Sequence, residues 1–305
     1  MPNARVIIVN PTAGSGRGAR LVPWLREQTG ASGDAELHVT EDAAQPEALA
    51  AAAAERGCPR VIAVGGDGTV QAVVNGLLGA DRGVEMGVMP VGSGNDLARS
   101  LGLPTDTATA WQVATGPTTR LIDVARARNG DGDERWFASA GGIGFDAQVA
   151  AAMATRRGWQ TGRAGYLLTT LSELRRFTNR RVRLAIDGEV LERQVLFVAI
   201  ANGAYYGGGM RIAPAAQPDD GVLDLCVVGN ISRLTAMREM PNLYRGTHIR
   251  NRTVSMHTVA RSLTVEGDAE TRVHLDGEPF GGLPLEVVLQ PGALAVAVPG
   301  ARLGG

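Results

Sequence analysis

The sequence predicts an α/β protein in two parts: an N-terminal domain built on a parallel sheet, then a C-terminal domain of antiparallel strands. Three observations predict this. Up to residue 118, short apolar runs alternate with helical patterns, as in a parallel sheet covered by helices. Three of those strands open into glycine-rich turns, and in such sheets ligands bind outside the carboxyl ends of the strands. From residue 119 onward, short alternating runs are separated by Asn-Gly and Asp-Gly turns, which mark hairpins.

Arg5 to Val9 form the first strand. It opens into Asn10-Pro11-Thr12-Ala13-Gly14-Ser15-Gly16-Arg17-Gly18, a loop rich in glycine and hydroxyls. A helix through Leu21 and Leu25 ends near Gly30, and Glu36 to Thr40 make a second strand. Pro46 suits the first position of an alanine-rich helix running to Arg56. Val61 to Val64 read as a strand buried on both faces. Gly65-Gly66-Asp67-Gly68 follow, and Val70, Val73, Val74 and Leu77 repeat as the apolar stripe of a helix starting at Thr69. Glu85 to Val91 form a strand broken by Gly92-Ser93-Gly94-Asn95-Asp96, and a helix through Leu97 stops at Gly102-Leu103-Pro104.

The turn at Gly65 to Thr69 organises the reading. Its glycines let a ligand approach the backbone, and a helix start offers unpaired N–H groups to a phosphate. An aspartate there repels phosphate unless a divalent cation bridges them. The turn thus suggests a nucleotide phosphate, a metal and Asp67 together. The plainer alternative is a tight turn with Asp67 capping its helix.

Composition narrows the chemistry. The chain has 305 residues, 44% hydrophobic and 20% charged, enough for two ordinary domains with a full core. A net charge of -1 argues against a general nucleic-acid binder. Cys58 and Cys226 stand alone, and His38, His248, His257 and His274 are scattered, so a zinc site is not expected. No apolar run is long enough for a membrane span, and the chain opens directly into a strand without a signal peptide, so a reducing cytoplasm is the expected location. All 30 basic residues are arginine. The lysine-dependent phosphate sites of Walker loops, protein kinases and pyridoxal enzymes are therefore excluded.

The second half predicts strands at 120–128, 135–140, 182–186, 190–201, 222–228, 263–266, 271–275 and 285–289, arranged as a sandwich and interrupted by helical patterns at 146–177 and 232–245. The closing strand, 293–298, is compatible with either domain. Domain limits of 1–118, with 291–305 as an optional addition, and 119–290 follow. Gly141 to Asp146 read as a glycine turn before a helix. Asn202-Gly203 and Gly207-Gly208-Gly209 read as loops. Asp219-Asp220-Gly221 and Leu275-Asp276-Gly277-Glu278 are acidic turns that alone are ordinary hairpin signals. Arginines concentrate in two stretches: eight with only Glu173 between Arg156 and Arg183, and six with only Glu239 between Arg233 and Arg261. Such runs are commonly solvated faces; next to an apolar cleft they would suit an enzyme working at an anionic membrane surface.

Taken together, Asn10-Pro11-Thr12-Ala13-Gly14, Gly65-Gly66-Asp67-Gly68-Thr69 and Pro90 to Ala98 resemble the three nucleotide loops of the diacylglycerol kinase catalytic domain family, which includes bacterial lipid kinases, sphingosine kinases and ceramide kinases. Asn202-Gly203, the triple glycine, Ala213-Pro214-Ala215, Asp219-Asp220-Gly221 and Leu275-Asp276-Gly277-Glu278 also fall where bacterial members have them. The resemblance implies an N-terminal domain like that of NAD kinase and phosphofructokinase and a β-sandwich-like C-terminal domain, with nucleotide and lipid headgroup in the cleft between them. It implies ATP contacts at Asn10, Pro11, Thr12, Ala13, Gly14, Thr40, Gly65, Gly66, Asp67, Gly68, Thr69, Val70, Gln71 and Ser93, with Asn95 and Asp96 alongside. It implies Mg2+ around Gln217, Asp220 and Val222, the outer two through backbone oxygens, and a link from the metal to Asp67. Glu278, with Asp276 beside it, matches the proton acceptor. Ala13, Ser93 and Gln71 depart from the usual serine, threonine and asparagine, which predicts weaker nucleotide binding.

The activity implied is transfer of the ATP γ-phosphoryl group to a lipid hydroxyl in phospholipid metabolism, with diacylglycerol as the default acceptor and phosphatidylglycerol, sphingoid bases and ceramide open. NAD kinase shares the Gly-Gly-Asp-Gly-Thr turn but not the Leu-Asp-Gly-Glu hairpin. A non-catalytic lipid-binding homologue is disfavoured by the presence of Asp67, Asp220, Asp276 and Glu278. The expected partner is a lipid at a membrane surface, met through arginine-rich faces and without nucleic acid; a homodimer is left open.

Overall fold

The structure is a computed structural model that describes residues 4–33, 35–154, 163–175 and 177–300. The chain divides into two compact units, Met1–Ile122 with Gly292–Gly305, and Asp123–Pro291.

The first unit holds β1 (Arg5–Val9), α1 (Ala13–Ser32), β2 (Ala35–Val39), α2 (Gln45–Glu55), β3 (Arg60–Gly65), α3 (Asp67–Ala80), β4 (Glu85–Pro90), α4 (Asp96–Ser100) and α5 (Thr107–Thr115). Strands β2 and β3 flank β1, and β4 follows β3, all in parallel. Near the chain end, Val296 pairs in parallel with Met86, so the closing strand joins this sheet. All six residues of β3 are buried, as its continuous apolar run requires. Alternate strand residues Ile7, Val9, Ile62 and Val64 pack with Leu25 of α1 and Ala110 and Ala114 of α5. Helix α3 buries Val70, Val73, Val74 and Leu77, the stripe predicted for it. Gly76 lets α2 lie close, because a Cβ there would sit 2.3 Å from the Glu47 carbonyl oxygen.

Strand β5 (Thr119–Asn129) leads into the second unit, which contains β6 (Glu134–Phe137), β7 (Ala140–Gly144), α6 (Phe145–Ala154), α7 (Arg163–Leu174), β8 (Arg180–Ile186), β9 (Glu189–Ala201), β10 (Leu223–Gly229), α8 (Arg233–Arg245), β11 (Val254–Val259), β12 (Ser262–Gly267), β13 (Arg272–Leu275), β14 (Glu278–Gly282) and the part of β15 (Leu285–Ala297) up to Pro291. Long β9 serves two sheets. Its first half pairs with β8, which continues to β12 and β15. Its second half lies between β10 and β7, and β7 continues to β13 and β14. Val198 and Ile200 of β9 face the inter-sheet core, whereas Phe197, Ala199 and Ala201 face a second core with Phe145, Leu174 and Ala236 from α6, α7 and α8. A strand buried on both faces explains the unbroken apolar run 195–201. The helices thus form a third layer over one sheet.

Several boundaries differ from the sequence reading. Helix α3 begins at Asp67 rather than Thr69, so the acid stands in its first turn. The loop expected to reach Gly18 is shorter: Gly14, Ser15 and Gly16 take left-handed conformations, and helix follows. Gly141 to Gly144, expected as a turn, form β7 between β9 and β13. Their lack of side chains reads like a loop in sequence but provides space: a Cβ on Gly142 would lie 2.0 Å from Asp146 Oδ2 and 2.3 Å from His274 Nε2. The segments 285–289 and 293–298 are one strand up to Ala297, carried past Pro291 by Gly292 at φ 61°. Helix α5 and strands β11 and β14 were not foreseen. Of the helical pattern expected at 146–177, residues 155–162 and 176 lie outside the described residues, and with them Arg156, Arg157 and Arg176 of the first arginine stretch.

Candidate active site

In the first unit the three glycine turns are joined by side chains that sequence order does not reveal. The Asp67 carboxylate accepts the Asn95 N–H at 2.8 Å and the Asp96 N–H at 2.7 Å. Asn95 is left-handed at φ 55° and its Nδ2 donates to the Gly92 carbonyl at 2.9 Å. Gly66 and Gly92 meet backbone to backbone, since a Cβ on Gly92 would lie 2.5 Å from the Gly66 Cα. Asn10 Nδ2 donates to Thr69 Oγ1 at 3.2 Å, while its Oδ1 accepts from the Thr12 N–H at 3.0 Å and the Thr12 hydroxyl at 2.8 Å. Arg17 Nη2 donates to the carbonyls of Val91 at 2.6 Å and Gly92 at 2.9 Å. Buried Thr40 donates its N–H and its hydroxyl to the Val9 carbonyl, at 2.9 and 3.2 Å.

The result is a backbone surface at the strand ends. Thr69, Val70 and Gln71 are buried in α3, whereas Gly66, Asp67 and Gly68 are half-buried and Ser93 is exposed. Backbone N–H groups at a helix start favour an anion. Gly14 must stay a glycine, because a Cβ there would meet the Val91 carbonyl oxygen at 2.1 Å. Arg17, a bridge between the first and third turns, carried no assigned role in the sequence.

In the second unit the two acidic turns are tied into one polar framework. The Asp276 carboxylate accepts N–H groups from Ala138 at 3.0 Å and from Ser139 and Ala140 at 2.9 Å. Its own N–H donates to the Ala140 carbonyl at 2.8 Å. Asp276 and Gly277 both have positive φ, as a two-residue hairpin turn requires. Glu278 follows as the exposed first residue of β14. Asn202, fully buried, donates from Nδ2 to the carbonyls of Asp123 at 2.7 Å and Ala138 at 2.8 Å. Buried Asp123 in turn accepts the Gly221 N–H at 2.7 Å and donates its own N–H to Pro218 at 2.6 Å. Asn202 and Asp123 therefore hold the loop 218–221 and the backbone at 138–140, and Asp276 holds that backbone to Glu278. Asp123 lies inside an ordinary apolar strand pattern and gave no sequence signal.

The oxygen donors near 217–224 suit a hard cation. Asp220 is exposed and accepts the Val222 N–H at 3.2 Å, and burial, then the Asp220 charge, push the Asp224 carboxyl above its ordinary range. A like-charge pair of this kind is relieved by a divalent ion with oxygen ligands. Among the described residues no three His, Cys, Asp or Glu side chains converge, so such a site depends on backbone and amide oxygens as well, including those of Gln217 and Val222.

Under the helical layer lies an apolar cavity lined by Val149, Leu174, Leu196, Phe197, Met240 and Leu243, with Asp146, Tyr206, Glu239 and His248 among its polar members. Asp146 Oδ2 stands 3.4 Å from His274 Nε2, both side chains being buried. Burial, followed by the Asp146 charge, pushes the Cys226 thiol up to about 12, so it stays protonated and unreactive.

A nucleotide-type α/β unit with three stapled glycine turns, followed by a β-sandwich unit with an acidic hairpin, defines a phosphoryl-transfer class of protein. The Diacylglycerol kinase catalytic domain profile matches residues 4–127, and that of the YegS C-terminal NAD kinase beta sandwich-like domain matches residues 139–298. The chain belongs to the diacylglycerol kinase family of lipid kinases. It is 35% identical to a diacylglycerol kinase of Mycobacterium tuberculosis over 260 residues, 85% of this chain and 82% of that one. It is 30% identical to a diacylglycerol kinase of Bacillus subtilis over 290 residues, 94% and 93% of the two chains. A solved structure from Bacillus anthracis str. Sterne superposes with a TM-score of 0.81 at 26% identity, covering 99% of this chain and 97% of that one.

Proposed function

We propose that this protein transfers the γ-phosphoryl group of ATP to the hydroxyl of a membrane lipid, with diacylglycerol as the leading acceptor and phosphatidic acid as its product. The observation that carries the lipid reading is the apolar lining in the unit that bears Glu278: the wall of Val149, Leu196, Phe197, Met240 and Leu243 offers a dinucleotide little to bind. The N–H groups of Gly14, Ser15, Gly66 to Gly68, Ser93 and Gly94 would hold the phosphates, while those of Asn95 and Asp96 are taken by Asp67, which fixes the third turn against the second.

Asp276 and Glu278 have different surroundings. Three backbone N–H groups bind the Asp276 side chain, which thereby shapes the turn. Glu278 is exposed and acts as proton acceptor from the lipid hydroxyl. An alcohol gives up its proton late in such a transfer, and a positioned base typically contributes about 10²–10⁴-fold. Gln217, Asp220 and Val222 would hold Mg2+, which supplies neutralisation of phosphate charge.

The test is labelled ATP with a panel of diacylglycerol, phosphatidylglycerol, sphingosine, ceramide and NAD in mixed micelles. Label in one lipid, lost in Glu278→Gln, supports the proposal. Label in NAD, or in none of the acceptors, refutes it.

A further inference from the structure

We infer that the outward face of α8 is the membrane-docking surface of this protein and that it selects an anionic leaflet. The inference rests on the lipid-kinase reading, because it supplies the surface from which the acceptor is drawn. Helix α8 has two apolar stripes on opposite sides. The inner one, Ala236, Met240 and Leu243, lines the apolar cavity. The outer one, at positions 234, 237, 238, 241, 244 and 245, keeps the i, i+3, i+4, i+7 spacing of a second face. There Leu234 is 56% exposed, Met237 46% and Tyr244 38%. Large apolar side chains standing together on one helix face of a folded protein mark an interaction site.

Charge decides which partner fits. Arg238 and Arg245 belong to the same outer stripe, and exposed Arg250 follows close after the helix. The stripe holds no acid. The helix's single acid, Glu239, is turned inward and accepts from Asn242 Nδ2 at 2.8 Å and Asn251 Nδ2 at 2.9 Å. Apolar side chains interleaved with arginines, on a helix well capped by Ser232 and Gly246, match the composition of interfacial helices that lie in the headgroup layer. An apolar protein groove gains nothing from the cations that run along this stripe, whereas an anionic bilayer attracts them. Because the same helix walls the cavity, docking sets the cavity beside the lipids.

The experiment is vesicle flotation of the full chain with phosphatidylcholine alone and with added phosphatidylglycerol, alongside sedimentation velocity without lipid. The wild type should float with the anionic vesicles and not with the neutral ones. Arg238→Gln and Arg245→Gln should each weaken binding about fivefold, and together about 25-fold. Leu234→Glu with Met237→Glu should abolish flotation at unchanged Tm, since both positions are exposed. Equal binding to neutral vesicles, no binding by the wild type, or full binding by the variants overturns the inference. If the glutamate variants instead convert a dimer to a monomer while flotation persists, the face is an interface between copies. A protein that floats as described but labels no lipid would overturn the kinase reading and leave the docking surface standing.

Discussion

Asp67→Asn tests the idea that one carboxylate organises the nucleotide turns. In the structure its two oxygens receive two backbone N–H groups, from Asn95 at 2.8 Å and Asp96 at 2.7 Å. An asparagine keeps one acceptor oxygen. Its NH2 group must face the other N–H, so one charge-assisted bond is lost and one donor is left opposed. Hydrogen bonds to charged groups contribute about 1.5–3 kcal/mol each, and a half-buried site stays toward the lower end, near about 2 kcal/mol. That free energy corresponds to about 30-fold in local opening. The assay is amide hydrogen exchange: protection at Asn95 and Asp96 should fall about 30-fold, while β1 and β3 amides keep theirs. Fluorescence of the Trp24–Trp111 pair, edge-on at 5.8 Å, should show the first unit still folded, and turnover should be abolished. Unchanged exchange at Asn95 and Asp96, or an active variant, would refute the reasoning.

Other expectations follow from the second unit. Glu278→Gln should reduce kcat by about 10²–10⁴-fold with no change in urea midpoint, whereas Asp276→Asn should also lower stability, by about 2–4 kcal/mol, because three N–H groups lose a charged acceptor; equal stability of the two variants would contradict the division of roles. Gly142→Ala should destabilise by about 2–3 kcal/mol, since its methyl group meets the buried Asp146–His274 pair, and a neutral result by thermal unfolding would show that pair to be movable. Burial holds the His248 imidazole below its ordinary 6.5. The unfolded chain therefore binds the extra proton first, so stability is full above pH 6.5 and is lost as pH falls from there through the folded value. His248→Gln, which keeps a donor for the Ile212 carbonyl oxygen 3.1 Å from the imidazole, should flatten Tm against pH over that window; an unchanged slope would assign the effect elsewhere.

The sequence by itself determined what is local. The alternation of apolar runs and helical stripes up to residue 118 set the parallel unit, since burial on two faces leaves a continuous apolar signature. The three glycine turns were visible because each stands at a strand end, and the absence of lysine removed whole classes of phosphate site. Tertiary structure decided what depends on distant pairing. Gly141 to Gly144 read as a turn because glycine signals freedom, yet they form a strand whose missing side chains make room for Asp146 and His274. Asn202 was visible only as a loop residue, because its partners are backbone carbonyls 79 and 64 residues away, and Asp123 gave no signal, because its carboxylate meets a backbone N–H 98 residues away. The roles of Asp276 and Glu278 were left open by a motif that places both acids in one hairpin; only the N–H groups of 138–140, brought in by β7 pairing with β13, show which acid is bound in the turn and which stands at the surface.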